Sequence, residues 1–294
     1  MGRVRSRLAG ALAAVSVLAL VGVPIASAVQ PSIVGGVPAD QPYPFAVSLQ
    51  QNSGEHFCGG ALVAAEWVVT AAHCVQGREP AEFSARIGSL DRTQGGEVIE
   101  PAQVLPHPDY DPDGAGGDVA LVRLASPAQA EPIALATGAE VGVPTRILGW
   151  GQTCPTEGCG TSPVTLQQLD TSVVDGAGCT AVFDPAVELC TGNPEGRKGA
   201  CYGDSGGPEI IRAGERWLLA GVSSRPGVHD ATCGTGPSIY TSVVAYTPWI
   251  TEHVAPPPPS PQPTSSSQST SGAPPTSGTP SPSGTPPATT PTPS

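Results

Sequence analysis

All eight cysteines of this 294-residue chain, Cys58, Cys74, Cys154, Cys159, Cys179, Cys190, Cys201 and Cys233, fall in one interior stretch. What they can do depends on the compartment, and the first 28 residues address that. Arg3, Arg5 and Arg7 precede an apolar run from Leu8 to Ile25 that closes on Ala26-Ser27-Ala28. This is the layout of a secretory signal peptide with an A-x-A cleavage site, and the interruptions at Gly22 and Pro24 argue against a retained anchor. The expected location is secreted and oxidising, where an even cysteine count predicts four disulfides. Eight cysteines allow formally 105 pairings, and spacing alone does not choose among them. Zinc is not expected at Cys154 and Cys159, because no nearby Cys or His pair completes a tetrahedral set.

The other end of the chain is of a different kind. Residues 255–294 hold 14 prolines among 40 positions and no charged or aromatic residue. Such a segment cannot bury enough apolar surface to offset its ordering entropy, so a disordered Pro/Ser/Thr-rich tail is expected, either an O-glycosylated stalk or a linker. Neither an apolar helix nor a sorting motif follows it, so no membrane attachment is expected. Residues 33–254 remain, roughly 220 residues and enough for one domain with a substantial core. The whole chain carries −12, and losing Arg3, Arg5 and Arg7 takes it to −15, so nucleic acid is not an expected partner.

Within 33–254 the sequence consists of short apolar runs broken by Gly, Pro and Asp. Phe45–Leu49, Gly60–Val63, Trp67–Thr70, Ala85–Ile87 and Val119–Leu124 make up the first half. Thr145–Leu148, Leu166–Val174, Trp217–Val222 and Ser238–Thr241 make up the second. β-branched residues dominate the runs and turn residues separate them, which predicts strands. Helical spacing is clear only from Val243 to Val254. An all-β domain with a C-terminal helix follows, as barrels or a sandwich.

The chemistry centres on Gly203-Asp204-Ser205-Gly206-Gly207-Pro208. A serine hydroxyl is a weak nucleophile at neutral pH, so it needs a base and N–H groups aimed at the developing oxyanion. Alone, a Gly-x-Ser-Gly segment is more often an ordinary turn. A base is available in Thr70-Ala71-Ala72-His73-Cys74, where a strand delivers a histidine beside a cysteine that can pin it. Asp118 stands at the mouth of the strand that follows it, where a buried carboxylate is costly unless paired, and an imidazole N–H suits it. His73, Asp118 and Ser205 each have a bland reading; three such contexts in one chain do not.

In these motifs, together with Ile33-Val34-Gly35-Gly36, His107-Pro108-Asp109-Tyr110, Asp118-Val119-Ala120-Leu121 and Gly149-Trp150-Gly151, the sequence resembles the trypsin- and chymotrypsin-like serine proteases. The likeness covers essentially all of 33–254, and the Ala/Gly/Pro-rich composition resembles that of secreted bacterial members. It implies two antiparallel six-stranded β-barrels with the active site between them and a C-terminal helix. It makes Ser205 the nucleophile, His73 the base and Asp118 the group that orients His73. Gly203 and Ser205 would supply the oxyanion-hole N–H groups. Val29 to Ser32 would be a short propeptide, and the freed amino group of Ile33 would pair with Asp204, a zymogen switch rather than a catalyst. The implied disulfides are Cys58–Cys74, Cys179–Cys190 and Cys201–Cys233, leaving Cys154 and Cys159 to close a local loop. Each longer closure would contribute about 3 kcal/mol through unfolded-state entropy.

Departures from the family pattern bear on specificity. Gly199 stands six positions before the serine, where trypsin-like members carry an aspartate that selects Arg or Lys. An apolar or aromatic P1 residue is therefore expected, with Ser238 on the pocket wall making it shallower. Lys198 is expected to face solvent, with an acidic P1 residue as the remaining option. Relatives carry Ser-Trp-Gly where this chain has Ser224-Arg225-Pro226. Ser224 is expected to support Asp118 and, with Gly199 and Ser238, to bind substrate, and Arg225 to be solvated, with steering of acidic subsites as the other reading. At Pro226 either one substrate hydrogen bond is lost, since proline has no N–H, or the loop is offset. The loop from Ser89 to Glu97 lacks the paired carboxylates with which some relatives bind calcium, so neither metal nor cofactor is expected. The expected protein is a monomeric secreted endopeptidase acting on polypeptides and open to protein protease inhibitors. The alternatives are a catalytically silent homologue serving as a binding module and an esterase using the same three residues.

Overall fold

The structure, a computed structural model, describes Gly2 and residues 33–255. The signal peptide apart from Gly2, the Val29 to Ser32 propeptide and all of the tail except Ala255 lie outside the described residues. In chain order the strands are β1 (Val37–Pro38), β2 (Ala46–Gln51), β3 (His56–Ala64), β4 (Trp67–Thr70), β5 (Phe83–Ile87), β6 (Glu97–Ile99), β7 (Pro101–Pro106) and β8 (Ala120–Leu124). They continue as β9 (Ala134–Leu135), β10 (Pro144–Gly149), β11 (Gln167–Ser172), β12 (Glu188–Thr191), β13 (Pro208–Ala213), β14 (Arg216–Pro226) and β15 (Ser238–Ser242). A one-turn helix, α1 (Ala72–Val75), follows β4, and α2 (Val243–Val254) ends the domain.

The first sheet runs β6-β5-β2-β3-β4-β8-β7, and only Glu100 separates its two edge strands in the chain. That short link brings the edges together and removes them as sites of unwanted pairing. The second runs β1-β11-β10-β13-β14-β15-β12, with β9 added in parallel to β14. Val173, directly after β11, bridges Thr191 of β12 and closes it. Joining β6 to β7 and setting aside the two-residue strands β1 and β9 leaves the expected six in each.

The strands form where the sequence alternates. Phe83, Ala85 and Ile87 of β5 are fully buried while Ser84 and Arg86 are half-exposed, the period of two that a barrel wall requires. Leu62, Val68 and Leu121 fill the first barrel, each side chain contributing about 1.5–3 kcal/mol by leaving water. Ile33, Ile147, Leu189 and Ala220 pack with Tyr240 in the second. In α2, Val243, Tyr246 and Ile250 repeat at helical spacing and are buried, and Ser242 caps the first turn by accepting from the Ala245 N–H at 3.5 Å. Tyr246 in turn accepts from the Gly117 N–H, so the helix reaches the turn that leads into Asp118.

All eight cysteines are paired, as Cys58–Cys74, Cys154–Cys159, Cys179–Cys190 and Cys201–Cys233. Among the described residues no helix is long and apolar enough to cross a membrane.

Candidate active site

Asp118 and His73 meet where the first barrel faces the second. His73 begins its side chain from α1, directly after β4, with Cys74 tied to β3 through Cys58. Asp118 precedes β8, which pairs with β4 in a register that sets Thr70 opposite Ala120. Two contacts follow: the His73 backbone N–H donates to Asp118 Oδ1 at 2.9 Å, and ring Nδ1 lies 2.8 Å from Oδ2. Ser224 Oγ donates to the same Oδ2 at 2.6 Å. Burial alone would raise the Asp118 carboxyl, but the hydrogen bonds from His73 and Ser224 outweigh it and hold the group below the usual carboxylate range. An ionised Asp118 fixes the proton of His73 on Nδ1 and leaves Nε2 as the basic atom at the exposed edge of the ring.

The Ser205 turn is clamped by both barrels. Its carbonyl accepts from Gly59 N–H of β3 at 2.7 Å, and the next amide, Gly206, donates to Ser223 of β14 at 2.8 Å. Among the described residues no protein acceptor takes the N–H of Gly203 or of Ser205, so both amides remain available to an incoming oxygen. Ser205 and His73 lie on either side of Ser224 and Arg225, in two adjoining cavities that share those residues. The Ser205 hydroxyl is not hydrogen-bonded to His73 in this structure; Nε2 lies 3.7 Å from Cys74 Sγ.

Asp204 turns away from this face and is buried. Its carboxylate accepts from Gly151 N at 2.8 Å and Cys201 N at 2.9 Å. A Cβ on Gly149 or Gly151 would stand 2.0 or 2.5 Å from that carboxyl, which is why the Gly-Trp-Gly segment needs both glycines. Burial pushes Asp204 up to about 7 against the two N–H donors. Ile33 is fully buried in the second barrel's core, at a φ of 53° that β-branched residues rarely adopt. Val34, next to it, bridges Gly199.

A cavity of about 170 Å³ opens beside Ser205, walled by Pro226, Ser238 and the Cys201–Cys233 disulfide. Ala200 lines it directly and Gly199 sits just behind: a Cβ on Gly199 would stand 3.6 Å from Ser238 Oγ. The only carboxylate on its wall among the described residues is Asp230, fully exposed at the rim. The sulfurs of Cys58 and Cys74 lie near His73 in a metal-like cluster, but the disulfide removes their thiolates.

The sequence matches the family model described as Trypsin over residues 33–250, the whole of both barrels. The chain belongs to the trypsin family. It is a serine endopeptidase. Serine protease 1 of Rattus norvegicus is 34% identical over 258 residues, covering 83% of this chain and 99% of the relative. Cationic trypsin-3 of the same species is 36% identical over 236 residues, covering 76% and 90%. Trypsin of Sus scrofa is 34% identical over 236 residues, covering 76% and 96%.

Two features of the site, at Arg225 and Lys198, are not those expected from the sequence, and at Pro226 one of the two readings is favoured. Arg225 is not a solvated arginine: Nη1 lies 2.7 Å from Glu188 Oε1, and the Glu188 side chain is completely buried. Lys198 does not simply face solvent, since it pairs with Glu195 and packs against Gly35. Pro226 ends β14 opposite Ser238, after a bulge between Ser223 and Arg225, so the strand runs on past Ser224 without an offset loop. His56, a residue the sequence did not single out, also belongs to the site. It lies 2.9 Å from the Gly203 carbonyl through Nε2 and 2.8 Å from Ser48 Oγ through Nδ1, and burial lowers it to about 4, so a neutral ring holds the turn.

Proposed function

We infer that this trypsin-family chain is a secreted endopeptidase that hydrolyses peptide bonds through an acyl-enzyme, with Ser205, His73 and Asp118 as its triad. The observation that carries this is the Asp118–His73 pair beside a serine turn with two unsatisfied amides. Ser205 Oγ attacks the scissile carbonyl as His73 Nε2 takes its proton. The Gly203 and Ser205 N–H groups receive the oxyanion, and His73 then protonates the leaving amine. Water repeats the sequence to release the acid. Asp118 stabilises the imidazolium throughout. A hydroxyl–imidazole contact that is open in the free enzyme tightens when substrate fills the cleft.

The cavity beside Ser205 takes the P1 side chain. With Gly199 behind it and no charge at its base, it suits an apolar or aromatic residue. A substrate strand laid along β14 meets a carbonyl at Pro226 but no N–H, so backbone pairing is weaker there. Ile33, freed at its amino end by removal of Val29 to Ser32, supplies the cation that Asp204 lacks. Cleavage also removes the left-handed φ imposed on a β-branched residue, which costs on the order of 1–3 kcal/mol. Polypeptides are the substrates, and protein inhibitors that offer a peptide loop to the cleft are the expected regulators. The four disulfides and the segment 1–28 fit a secreted monomer.

Ser205→Ala tests the assignment. Turnover of a peptide substrate should fall by at least about 10³-fold with peptide binding retained. A phosphonofluoridate should label Ser205 in the wild type. Undiminished turnover in the variant would remove Ser205 as nucleophile.

A further inference from the structure

Behind the triad lies a second ion pair whose two members both belong to the second barrel. Glu188 on β12 is buried among protein atoms, and three groups converge on its carboxylate. Oε1 accepts from Gly116 N at 2.8 Å and lies 2.7 Å from Arg225 Nη1, and Oε2 accepts from Asp184 N at 2.9 Å. Gly116 is two residues from Asp118, so Glu188 also holds the first-barrel turn that delivers the triad carboxylate. Arg225, on β14, is fixed at a third point by the Val182 carbonyl, which accepts from Nη2. Its fork then reaches the site itself: Nη1 donates to Ser224 Oγ at 3.1 Å, and Ser224 Oγ donates to Asp118 Oδ2 at 2.6 Å.

A serine hydroxyl carries one proton and rotates freely unless something decides where that proton points. When Oγ accepts from the Arg225 guanidinium, the proton is directed away from the cation and toward the Asp118 carboxylate. In the order Glu188, Arg225, Ser224, Asp118, His73 a neutral hydroxyl links the cation to the triad carboxylate, and each bond polarises the next. Resting on the triad reading above, we propose that Arg225, held in place by Glu188, is a positioning residue that locks the Ser224 hydroxyl onto Asp118 and so fixes the orientation of His73. Glu188 also balances the guanidinium, so the cation does not disfavour the imidazolium that forms during acylation.

The test combines single variants and a pair. In Arg225→Met the aliphatic stem is kept, while the fork and its charge are lost. Its kcat should fall about tenfold, several times more than KM for a short peptide changes, because the stem that lines the cavities is kept and what is lost is orientation of the base. The acid limb of the kcat/KM profile should rise by about half a pH unit, since the buried Glu188 charge then acts uncompensated on the imidazolium. Glu188→Gln should move that limb the opposite way. The other groups facing His73, namely Asp118, Tyr110 and Asp111, are the same in every variant, so the opposed displacements isolate the pair. Arg225→Met with Glu188→Met leaves no unpaired charge and keeps the test open if the single variants fold poorly. It should return the acid limb toward wild type with kcat still low.

Wild-type kcat in the folded double variant, or an acid limb displaced in the same direction by both single variants, overturns the proposal. Ser205→Ala run alongside separates the two levels. If it retains activity, the triad reading fails; if it is inactive while Arg225→Met matches wild type in kcat and pH profile, only the positioning role falls.

Discussion

The amide of Gly199 donates to the carbonyl of Val34 at 3.0 Å, so the residue behind the P1 cavity is hydrogen-bonded to the residue that follows Ile33. On the proposed roles of Ile33 and Gly199, activation and specificity would share one bridge. Placing the free amino group of Ile33 against Asp204 would brace the cavity through Val34. Asp204 without a cation is raised from 3.8 to about 7 by burial. A carboxyl raised in this way adds stability that is complete below its unfolded pKa and is lost as pH rises through about 7, in all roughly 4 kcal/mol. In a Ser205→Ala background, a form beginning at Val29 should therefore lose melting temperature between pH 5 and pH 8. A form beginning at Ile33 should lose much less, because its ammonium, with a pKa of about 7.7–8, pairs with the ionised carboxylate. With Ser205 present, only the form beginning at Ile33 should be active. Equal activity from the Val29 form would refute the latch.

Gly199 gives a direct handle on substrate choice. Its hypothetical Cβ has 3.6 Å to Ser238 Oγ and 3.8 Å to Gly234 Cα, which is ordinary contact distance, so a side chain can be added without displacing the backbone. Gly199→Asp would set a carboxylate behind the cavity, where a basic P1 side chain could pair with it. The expected wild-type ranking of kcat/KM across a P1 series puts apolar and aromatic residues ahead of Arg and Lys. The variant should raise Arg and Lys by at least about tenfold relative to Phe, the effect of one partly buried charge pair. A wild type that already prefers Arg and Lys would instead point to Asp230 at the cavity rim as the selecting carboxylate.

How much of this was legible in the sequence follows from the range of each interaction. Strands β2, β3, β4, β5, β8, β10, β11, β14 and β15, the helix from Val243 to Val254 and the pairing of Asp118 with His73 could be read, because local alternation or a contiguous motif marks each; β7, β12 and β13 carry no such run, and Ser224 as a partner of Asp118 required the family resemblance. Cysteine pairing required the family resemblance, since spacing carries no geometry. Arg225 was misread because its partner, Glu188, lies 37 positions away on another strand and looks like an ordinary polar strand end. Nothing near Glu188 announces burial: it opens the run Glu188-Leu189-Cys190-Thr191, in which all four residues are buried. His56 was passed over for the same reason, as its role depends on Gly203, 147 residues on.

Gly206 tests how tightly the serine turn is held. It has φ +75°, and an added Cβ would stand 2.2 Å from Thr70 Oγ1 and 2.6 Å from the Gly59 carbonyl. Thr70 Oγ1 already donates to that carbonyl at 2.8 Å, so neither neighbour can move without breaking a bond. Gly206→Ala should lower stability by on the order of 3 kcal/mol and reduce kcat far more than it changes KM. Urea unfolding together with steady-state kinetics would check both. Wild-type values in both would mean that the turn has slack the packing does not allow for.

Glu209 offers the sharpest pH prediction, because it is buried without a cation. It lies on β13 with Oε2 accepting from Thr191 Oγ1 at 2.8 Å, while Oε1 has no partner. Burial pushes it up from 4.5 to about 7, against the hydrogen bond from Thr191. The folded state therefore binds a proton that the unfolded state releases. The resulting stability is fully present below pH 4.5 and is lost as pH rises through about 7, roughly 3 kcal/mol in all. Glu209→Gln keeps the shape and the Thr191 bond and removes the titration. At pH 5 the variant should match the parent within about 1 kcal/mol, and at pH 8 it should be the more stable of the two by on the order of 2–3 kcal/mol. Made in the Ser205→Ala form beginning at Ile33, the comparison leaves Asp204 paired and autolysis absent. A variant whose stability falls between pH 5 and pH 8 as steeply as the parent's would show that Glu209 takes up no proton on folding and that another group carries the pH dependence.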